Sequence, residues 1–348
     1  MIKLYSNEIV FPGHPDKVCD RISDALLDAY IAGDKYTRAG IECVGGKGKI
    51  FVTGEVTSNV EVDVKSIVNR VLEETGLNIE DYEIIDNIGK QSPDIAQGVD
   101  VGGAGDQGMM FGYACAETDR YIPKAMAILQ DFSKNYEALR KEYSDDFYAD
   151  GKAQITGYYN ENFELQKIKT FTISYQNAEK NRDRTDNILK EIATSICEKY
   201  GVEVEEFLIN PTGKFLIGGF EGDAGLTGRK IVVDTYQSFA PVGGGCFGGK
   251  DPTKVDRSGA YKARQLAIRM LKDKSLKWCE IQLSYAIGKA EPLAIYINSD
   301  RGSLEVPNEW YEECKPANII AELDLRKPIY ERTACYGHFG SNEFVWEI

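Results

Sequence analysis

Histidine is nearly absent from this 348-residue chain; only His14 and His338 occur. Zinc centres usually draw on several imidazoles or thiolates, so a zinc site is not expected. Cysteine pairs are absent too. Cys19, Cys43, Cys115, Cys197, Cys246, Cys279, Cys314 and Cys335 are scattered, with no C-x-x-C spacing. Single thiols in a chain of this size point to reduced side chains and a cytoplasmic protein. No apolar run approaches the roughly 18 residues of a membrane span. The first residues, Met1-Ile2-Lys3-Leu4-Tyr5-Ser6-Asn7-Glu8, are too polar for a signal peptide. Positive charge is in deficit as well: 41 Lys and Arg face 55 Asp and Glu, a net charge of −14. A nucleic-acid binder needs a broad basic surface, so neither nucleic acid nor membrane is an expected partner.

What is present is globular. Hydrophobic residues make up 43% and charged residues 28%, and the length calls for two or three domains. Val18, Ile22, Leu26 and Ala29 predict a helix over 15–31, with Pro15 and Asp16 suited to its first turn. Helices are also predicted over 62–74, 121–142, 183–200 and 258–272. Strands are predicted over 49–56, 82–87, 278–287 and 293–298. A hairpin is predicted from 154–159 and 168–176, and short strands at 215–218 and 230–234. Residues 89–108 read as a loop. Strand pairs alternating with single helices imply an α+β fold with mixed sheets.

Charge and glycine are concentrated in one stretch. Between Asn210 and Arg264, eight basic residues outnumber five acidic ones, and 12 of the 34 glycines fall there. Local positive charge on glycine-rich backbone suits a small polyanion. Gly244 to Lys250 fits G-x-x-x-x-G-K, the opening of a phosphate loop, but Asp251 stands where that loop needs Ser or Thr for magnesium. The dense glycines still let backbone N–H groups crowd an anion beside Lys250. Asp256 is either a helix cap or a ligand for magnesium held by phosphates. Gly13-His14-Pro15-Asp16-Lys17 opens the first helix and favours a phosphate or metal–phosphate site. Gln91 to Val99 and Gly103 to Gly108 flank a glycine-rich link with the character of a lid. The second of these does not fit a dinucleotide fingerprint.

Together these segments resemble methionine adenosyltransferase, the S-adenosylmethionine synthetase family. The matching stretches are G-H-P-D-K at 13, G-E-V-T at 54, Q-S-P-D-I at 91, G-A-G-D-Q-G at 103 and F-L-I-N-P-T-G-K-F at 207. G-D-A-G-L-T-G-R-K at 222, G-G-G-C-F-G-G-K-D-P-T-K-V-D-R-S at 243 and Y-G-H-F-G at 336 complete the series. They span nearly the whole chain in the family's order.

The resemblance implies three similar α+β domains, approximately 1–100, 101–220 and 221–348, between which strands could be exchanged. It implies a homodimer with active sites between subunits, often paired into a tetramer. The reaction implied is ATP, L-methionine and water giving S-adenosylmethionine, pyrophosphate and phosphate, with two Mg2+ per site and K+. Carried over by position, His14 would hold the triphosphate near its departing oxygen. Asp16 and Asp256 would ligate magnesium, and Glu42 potassium. Lys152, Arg229, Lys230 and Lys250 would grip phosphates, and Lys254 would act beside them. Asp150, Lys214, Phe215, Asp223, Cys246 and Ile287 would adjoin the nucleotide, with Phe215 on adenine. Glu55, Gln91, Asp106, Asp223 and Lys254 would attend methionine.

The chain departs from the family at several points. The link from Val99 to Gly103 is short, Ala96 replaces an Asn, and Cys246 and Gly248 replace Ala and Ser. The segment around Lys152 reads A-D-G-K-A-Q rather than P-D-A-K-S-Q, and 121–149 matches poorly. The competing readings are another ATP-using enzyme, such as a kinase, and a homologue that binds without catalysis. Asp251 speaks against the first, and the full set of charged residues against the second.

Overall fold

The structure, a computed structural model, describes residues 3–90 and 103–348. In chain order the elements are β1 (Lys3–Val10), α1 (Pro15–Gly33), β2 (Arg38–Gly46), β3 (Lys49–Thr57), α2 (Val64–Glu74), β4 (Glu83–Gly89) and β5 (Gly108–Cys115). Then come α3 (Lys124–Glu142), β6 (Phe147–Tyr159), β7 (Leu165–Asn177), α4 (Arg182–Lys199), β8 (Val204–Ile209), α5 (Gly219–Gly222), β9 (Gly225–Leu226) and α6 (Ile231–Asp234). The last third holds α7 (Val255–Lys274), β10 (Trp278–Tyr285), β11 (Ala294–Ser299), β12 (Gly302–Leu304), α8 (Glu309–Glu313), α9 (Pro316–Glu322) and α10 (Thr333–Tyr336).

The strands form three four-stranded sheets, in the orders β1-β6-β7-β8, β12-β11-β10-β5 and β4-β3-β2-β9. Two of them repeat one design. An antiparallel hairpin (β6–β7, β2–β3) is followed by a helix (α4, α2) and a strand parallel to the hairpin's second strand (β8, β4). The third sheet is antiparallel throughout. Mixed sheets with helices match the α+β expectation and the three-domain organisation.

Each sheet contains a strand from a distant part of the chain. β1 pairs with β6, from Lys3 opposite Tyr159 to Val10 opposite Lys152. β5 pairs with β10, Met110 opposite Leu283. β9 pairs with β2 through Val44 and Leu226.

Two hydrophobic cores result. One lies on the β1-β6-β7-β8 sheet under α3 and α4, with Phe132, Tyr136, Ile155 and Phe171 wholly buried. In α3 the apolar residues Ala125, Ile128, Leu129, Phe132, Tyr136 and Leu139 keep helical spacing beneath a polar outer face. The other core joins α1, α2 and α7 to the remaining two sheets. Here α7 lies very close to β5: a Cβ on Gly112 would meet the Ala263 carbonyl carbon at 2.0 Å. α1 is buried on nearly every side, so its polar residues, too, face protein.

Two predicted strands are corrected. In place of the strand at 230–234, Ile231–Asp234 form the short helix α6 behind Lys230, closed by Asp234 N–H to Lys230 O at 2.9 Å and Thr235 N–H to Ile231 O at 3.1 Å. Residues 215–218 are irregular. Phe215 O accepts from Asn177 N–H at 3.0 Å, and the chain then peels away at Gly218 and Gly219, where Gly219 N–H donates to the Asp150 carboxylate at 2.8 Å. The predicted loop 89–108 includes 91–102, outside the described residues; its end is the start of β5.

Candidate active site

The N-terminus of α1 gathers most of the first set of site residues. His14 is the cap residue, and its Nδ1 accepts the Asp16 backbone N–H at 3.2 Å. That bond makes Nδ1 the unprotonated nitrogen and leaves the Nε2 proton free to donate. Burial, then the Lys230 ammonium, push His14 down to about 4, so the ring is neutral near pH 7. Lys152 and Asp223 act on it electrostatically as well.

Asp16 is 1% exposed, yet three groups from one turn converge on it. Leu226 N–H donates to Oδ1 at 3.0 Å, Lys230 Nζ lies 2.5 Å from Oδ2, and Arg229 Nε lies 3.5 Å from Oδ1. Asp150, on β6 two residues before Lys152, is pushed by burial up to about 6. Lys152 and Asp223 are both exposed and act on Asp150 electrostatically. A cavity of about 470 Å³ opens against Arg229 and Lys230, with Glu8, Gln154 and Gln237 in its walls. That size lies within the roughly 300–1,000 Å³ common for ligand sites. A larger cavity, about 820 Å³, lies elsewhere, by Arg120, Lys134 and Glu343, and includes none of the predicted residues.

The second set stands at the N-terminus of α7. Lys254 occupies the N-cap position without a side-chain cap, Asp256 lies in the first turn, and Lys250 pairs with Asp256. Lys254 Nζ lies 2.7 Å from the fully buried Asp251. Asp251 is held below the usual carboxylate range despite its burial, because Lys254, Thr253 and Ala39 N–H all stabilise its charge. Position 251 therefore fixes a lysine and an edge of β2, consistent with its misfit to a phosphate loop. Gly40 is opposite Glu55 on one side and bridges to Lys250 on the other. A Cβ at Gly40 would lie 3.2 Å from Glu55 Oε1 and 3.9 Å from Lys254 Cε. Glu55, Lys250 and Lys254 thus share one neighbourhood. The two sets meet where Gly228 approaches Cys246: a Cβ there would lie 2.7 Å from Sγ. Burial drives the Cys246 thiol up to about 12.

Among the described residues, no hydrogen bond or ion pair ties the other predicted residues to these sets. Lys214 is exposed and pairs with Glu179, and Phe215 is half-buried near Asn177. Asp106 and Ile287 lie at one end of the β5–β10 pair. There Ala104 and the 288–289 turn exchange backbone hydrogen bonds. Glu42 is exposed on β2 opposite Thr53. Gln91 lies outside the described residues.

Hard oxygen donors suit both cations. Magnesium is commonly held by one or two carboxylates together with substrate phosphates. Asp16 and Asp256, each beside a lysine, fit that arrangement. Among the described residues no cluster of three or more His, Cys, Asp or Glu could hold a metal alone.

Sequence reasoning missed the buried charges behind the site. Lys17 donates to Asp234 at 2.6 Å and Asp20 at 3.1 Å, and this pairing keeps its ammonium raised against burial. Asp24 and Arg257 form a doubly hydrogen-bonded pair at 2.6 and 2.7 Å, Arg257 being fully buried. The available signal was a spacing: aspartates at 16, 20, 24 and 28.

Comparison with known proteins matches the whole site-bearing chain. Residues 3–93 match the S-adenosylmethionine synthetase N-terminal domain family, 101–215 the central domain family and 217–348 the C-terminal domain family. Similar curated proteins include the S-adenosylmethionine synthase of Clostridium tetani, 42% identical over 100% of this chain and 97% of the relative. Those of Staphylococcus epidermidis (41% identical) and Nitratiruptor (43%) each match 99% of this chain and 95% of the relative.

Proposed function

The chain belongs to the S-adenosylmethionine synthetase family and is a methionine adenosyltransferase, and on that premise we propose a mechanism and a role for each site residue. The methionine sulfur attacks C5′ of ATP, the C5′–O5′ bond breaks, and the intact triphosphate leaves. Water then splits it into phosphate and pyrophosphate.

A thioether carries no proton to remove, so the attack needs no general base and no enzyme nucleophile. What it needs is alignment and a stabilised polyanionic leaving group. The observation that carries this reading is the convergence of His14, Arg229 and Lys230 on the start of α1, within electrostatic reach of Lys152. A neutral His14 with a free Nε2–H can donate to the departing oxygen. Lys152, Arg229, Lys230 and Lys250 would hold the phosphates, and Asp150 and Cys246 would line their surroundings. Phe215, Lys214 and Ile287 would take the nucleoside. Glu55, Asp223 and Lys254 would bind the charged ends of methionine, with Asp106 and Gln91 nearby. Asp16 and Asp256 would hold two magnesium ions, which neutralise the triphosphate when bound. Glu42 would hold potassium.

The protein would act as a homodimer, with pairing into a tetramer as a further level. Each sheet leaves large apolar side chains exposed: Leu4 and Leu208, Met109 and Tyr296, and Val44. A second copy would cover such surface and bring distant residues such as Phe215 and Ile287 to a shared site. No helix among the described residues is long and apolar enough to cross a membrane, and all eight cysteines are free thiols. A reducing cytoplasm fits that state.

The deciding experiment incubates the protein with Mg2+, K+ and ATP, with and without L-methionine. Mass spectrometry follows S-adenosylmethionine, and a phosphate assay follows triphosphate hydrolysis. Product should form only with methionine. ATP consumption indifferent to methionine would overturn the reading in favour of another ATP-using enzyme.

A further inference from the structure

Aspartate recurs every fourth residue along α1, at 16, 20, 24 and 28, which puts four carboxylates on one face. Each accepts backbone N–H groups from far along the chain. Asp16 takes Leu226 at 3.0 Å, Asp20 takes Gly228 at 2.8 Å, and Asp24 takes Gly249 at 2.8 Å. Asp28 takes Tyr330 at 3.0 Å and Glu331 at 2.8 Å. Two of these donors immediately precede proposed phosphate-binding cations. Gly228 precedes Arg229 and Lys230; Gly249 precedes Lys250.

We propose that Asp20 and Asp24 are positioning residues that set the two cation-bearing turns, with Lys17 and Arg257 as their braces. Both carboxylates are buried, at 5% and 0% exposure, beneath the turns rather than facing the site. Gly228 and Gly249 have φ of +83° and +74°, a conformation that turns their N–H groups away from regular pairing and toward α1. Asp24 supplies the acceptor for one of them, and its charge is met by Arg257 through two hydrogen bonds. The same guanidinium donates to Phe247 O at 2.9 Å and Lys250 O at 3.3 Å, on either side of Gly249. Its remaining donors reach Tyr261 at 3.0 Å and Thr333 at 3.0 Å. The unit therefore holds the backbone around Lys250 by three groups, and Asp256 is the residue next to Arg257. Asp20 does the corresponding work for Arg229 and Lys230, braced by Lys17, which also binds Asp234.

This inference rests on the phosphate role proposed for Arg229, Lys230 and Lys250. Its test measures calorimetric binding of magnesium tripolyphosphate to the full-length protein, with kcat, both KM values and the melting temperature. Asp20→Asn and Asp24→Asn should each weaken tripolyphosphate at least tenfold and raise KM for ATP, with KM for methionine within twofold. A merely structural role would reduce the folded fraction without changing the affinity of each folded site. Asp28→Asn is the internal control. It removes a carboxylate of the same row that braces no site cation, and tripolyphosphate affinity should stay within twofold. Lys250→Ala is measured in parallel. If it leaves tripolyphosphate binding unchanged, the phosphate role itself fails. If it weakens binding while folded Asp20→Asn and Asp24→Asn do not, only the positioning role fails. An equal loss in Asp28→Asn would also overturn it. Should Asp24→Asn not fold, Asp20→Asn decides alone, because Lys17 keeps Asp234 as partner.

Discussion

Lys230 Nζ lies 2.5 Å from Asp16 Oδ2, so a cation assigned to phosphate is paired with a carboxylate assigned to magnesium. Lys250 and Asp256 repeat that pairing at the N-terminus of α7. Binding magnesium triphosphate would exchange partners in both pairs, carboxylate to metal and lysine to phosphate. Chelating magnesium should therefore weaken tripolyphosphate binding at least tenfold by calorimetry. Asp16→Asn or Asp256→Asn should release its lysine. We expect each variant to bind metal-free tripolyphosphate several-fold more tightly than the unmodified protein, while turning over more slowly. Equal or weaker metal-free binding in both would show that the lysines are not held back by these carboxylates.

The scarcity of histidine makes a direct titration possible. With two imidazoles in the chain, NMR should show His14 staying neutral until about pH 4, and His338, buried and also lowered, not titrating before unfolding. The unfolded value is about 6.5. A histidine whose folded value lies below that is protonated more readily in the unfolded chain, so each costs stability as pH falls from about 6.5. For His14 that cost stops growing near pH 4. Tripolyphosphate should move the His14 midpoint upward, since an adjacent polyanion favours the imidazolium. A free-protein midpoint near 6.5 would mean that His14 is not desolvated as described.

The glycine-rich loop makes unequal demands on its glycines. Gly249 has φ +74°, and a Cβ there would lie 1.8 Å from Ile41 O, whereas a Cβ on Gly244 would meet nothing within 4 Å. Gly249→Ala should lower stability by about 1–3 kcal/mol, in the range of overpacked sites, and lower activity with it. Gly244→Ala should melt within a degree or two of the parent. Denaturant unfolding of the two variants separates the cases, and equal effects would contradict the loop's geometry.

Val44 is 41% exposed near the C-terminal end of β2. If a second copy covers that face, Val44→Asp should shift the protein toward monomer in light scattering and reduce turnover at least tenfold. Monomer melting should be little changed, since the side chain is not in the core. A dimeric, fully active variant would exclude this face from the interface.

Much of this organisation was readable from the chain, and the exceptions have physical causes. α1 and α7 announce themselves through Pro15, Asp16, Asp256 and helical apolar spacing. β2 was not predicted because three glycines in nine residues break its alternation. Residues 230–234 looked like a strand for their Ile-Val-Val run, yet Lys17 holds Asp234 and the run closes as a helical turn. The sheet partners were hidden because pairing between residues 3–10 and 152–159 leaves no local trace. Asp20 and Asp24 were passed over for a related reason. An aspartate on an amphipathic helix ordinarily faces water, and only burial on all sides turns the row into internal acceptors.

The interleaving of the sheets bears on how the protein is made. As the chain leaves the ribosome, β1 emerges first but has no partner until β6 follows, and β5 has no sheet partner until β10 is synthesised. β2 gains its second neighbour only when residues 225 and 226 appear. No sheet can close domain by domain in order of synthesis. Productive folding must wait for late segments while early strands stay exposed, which makes it slow and dependent on protection from aggregation during translation.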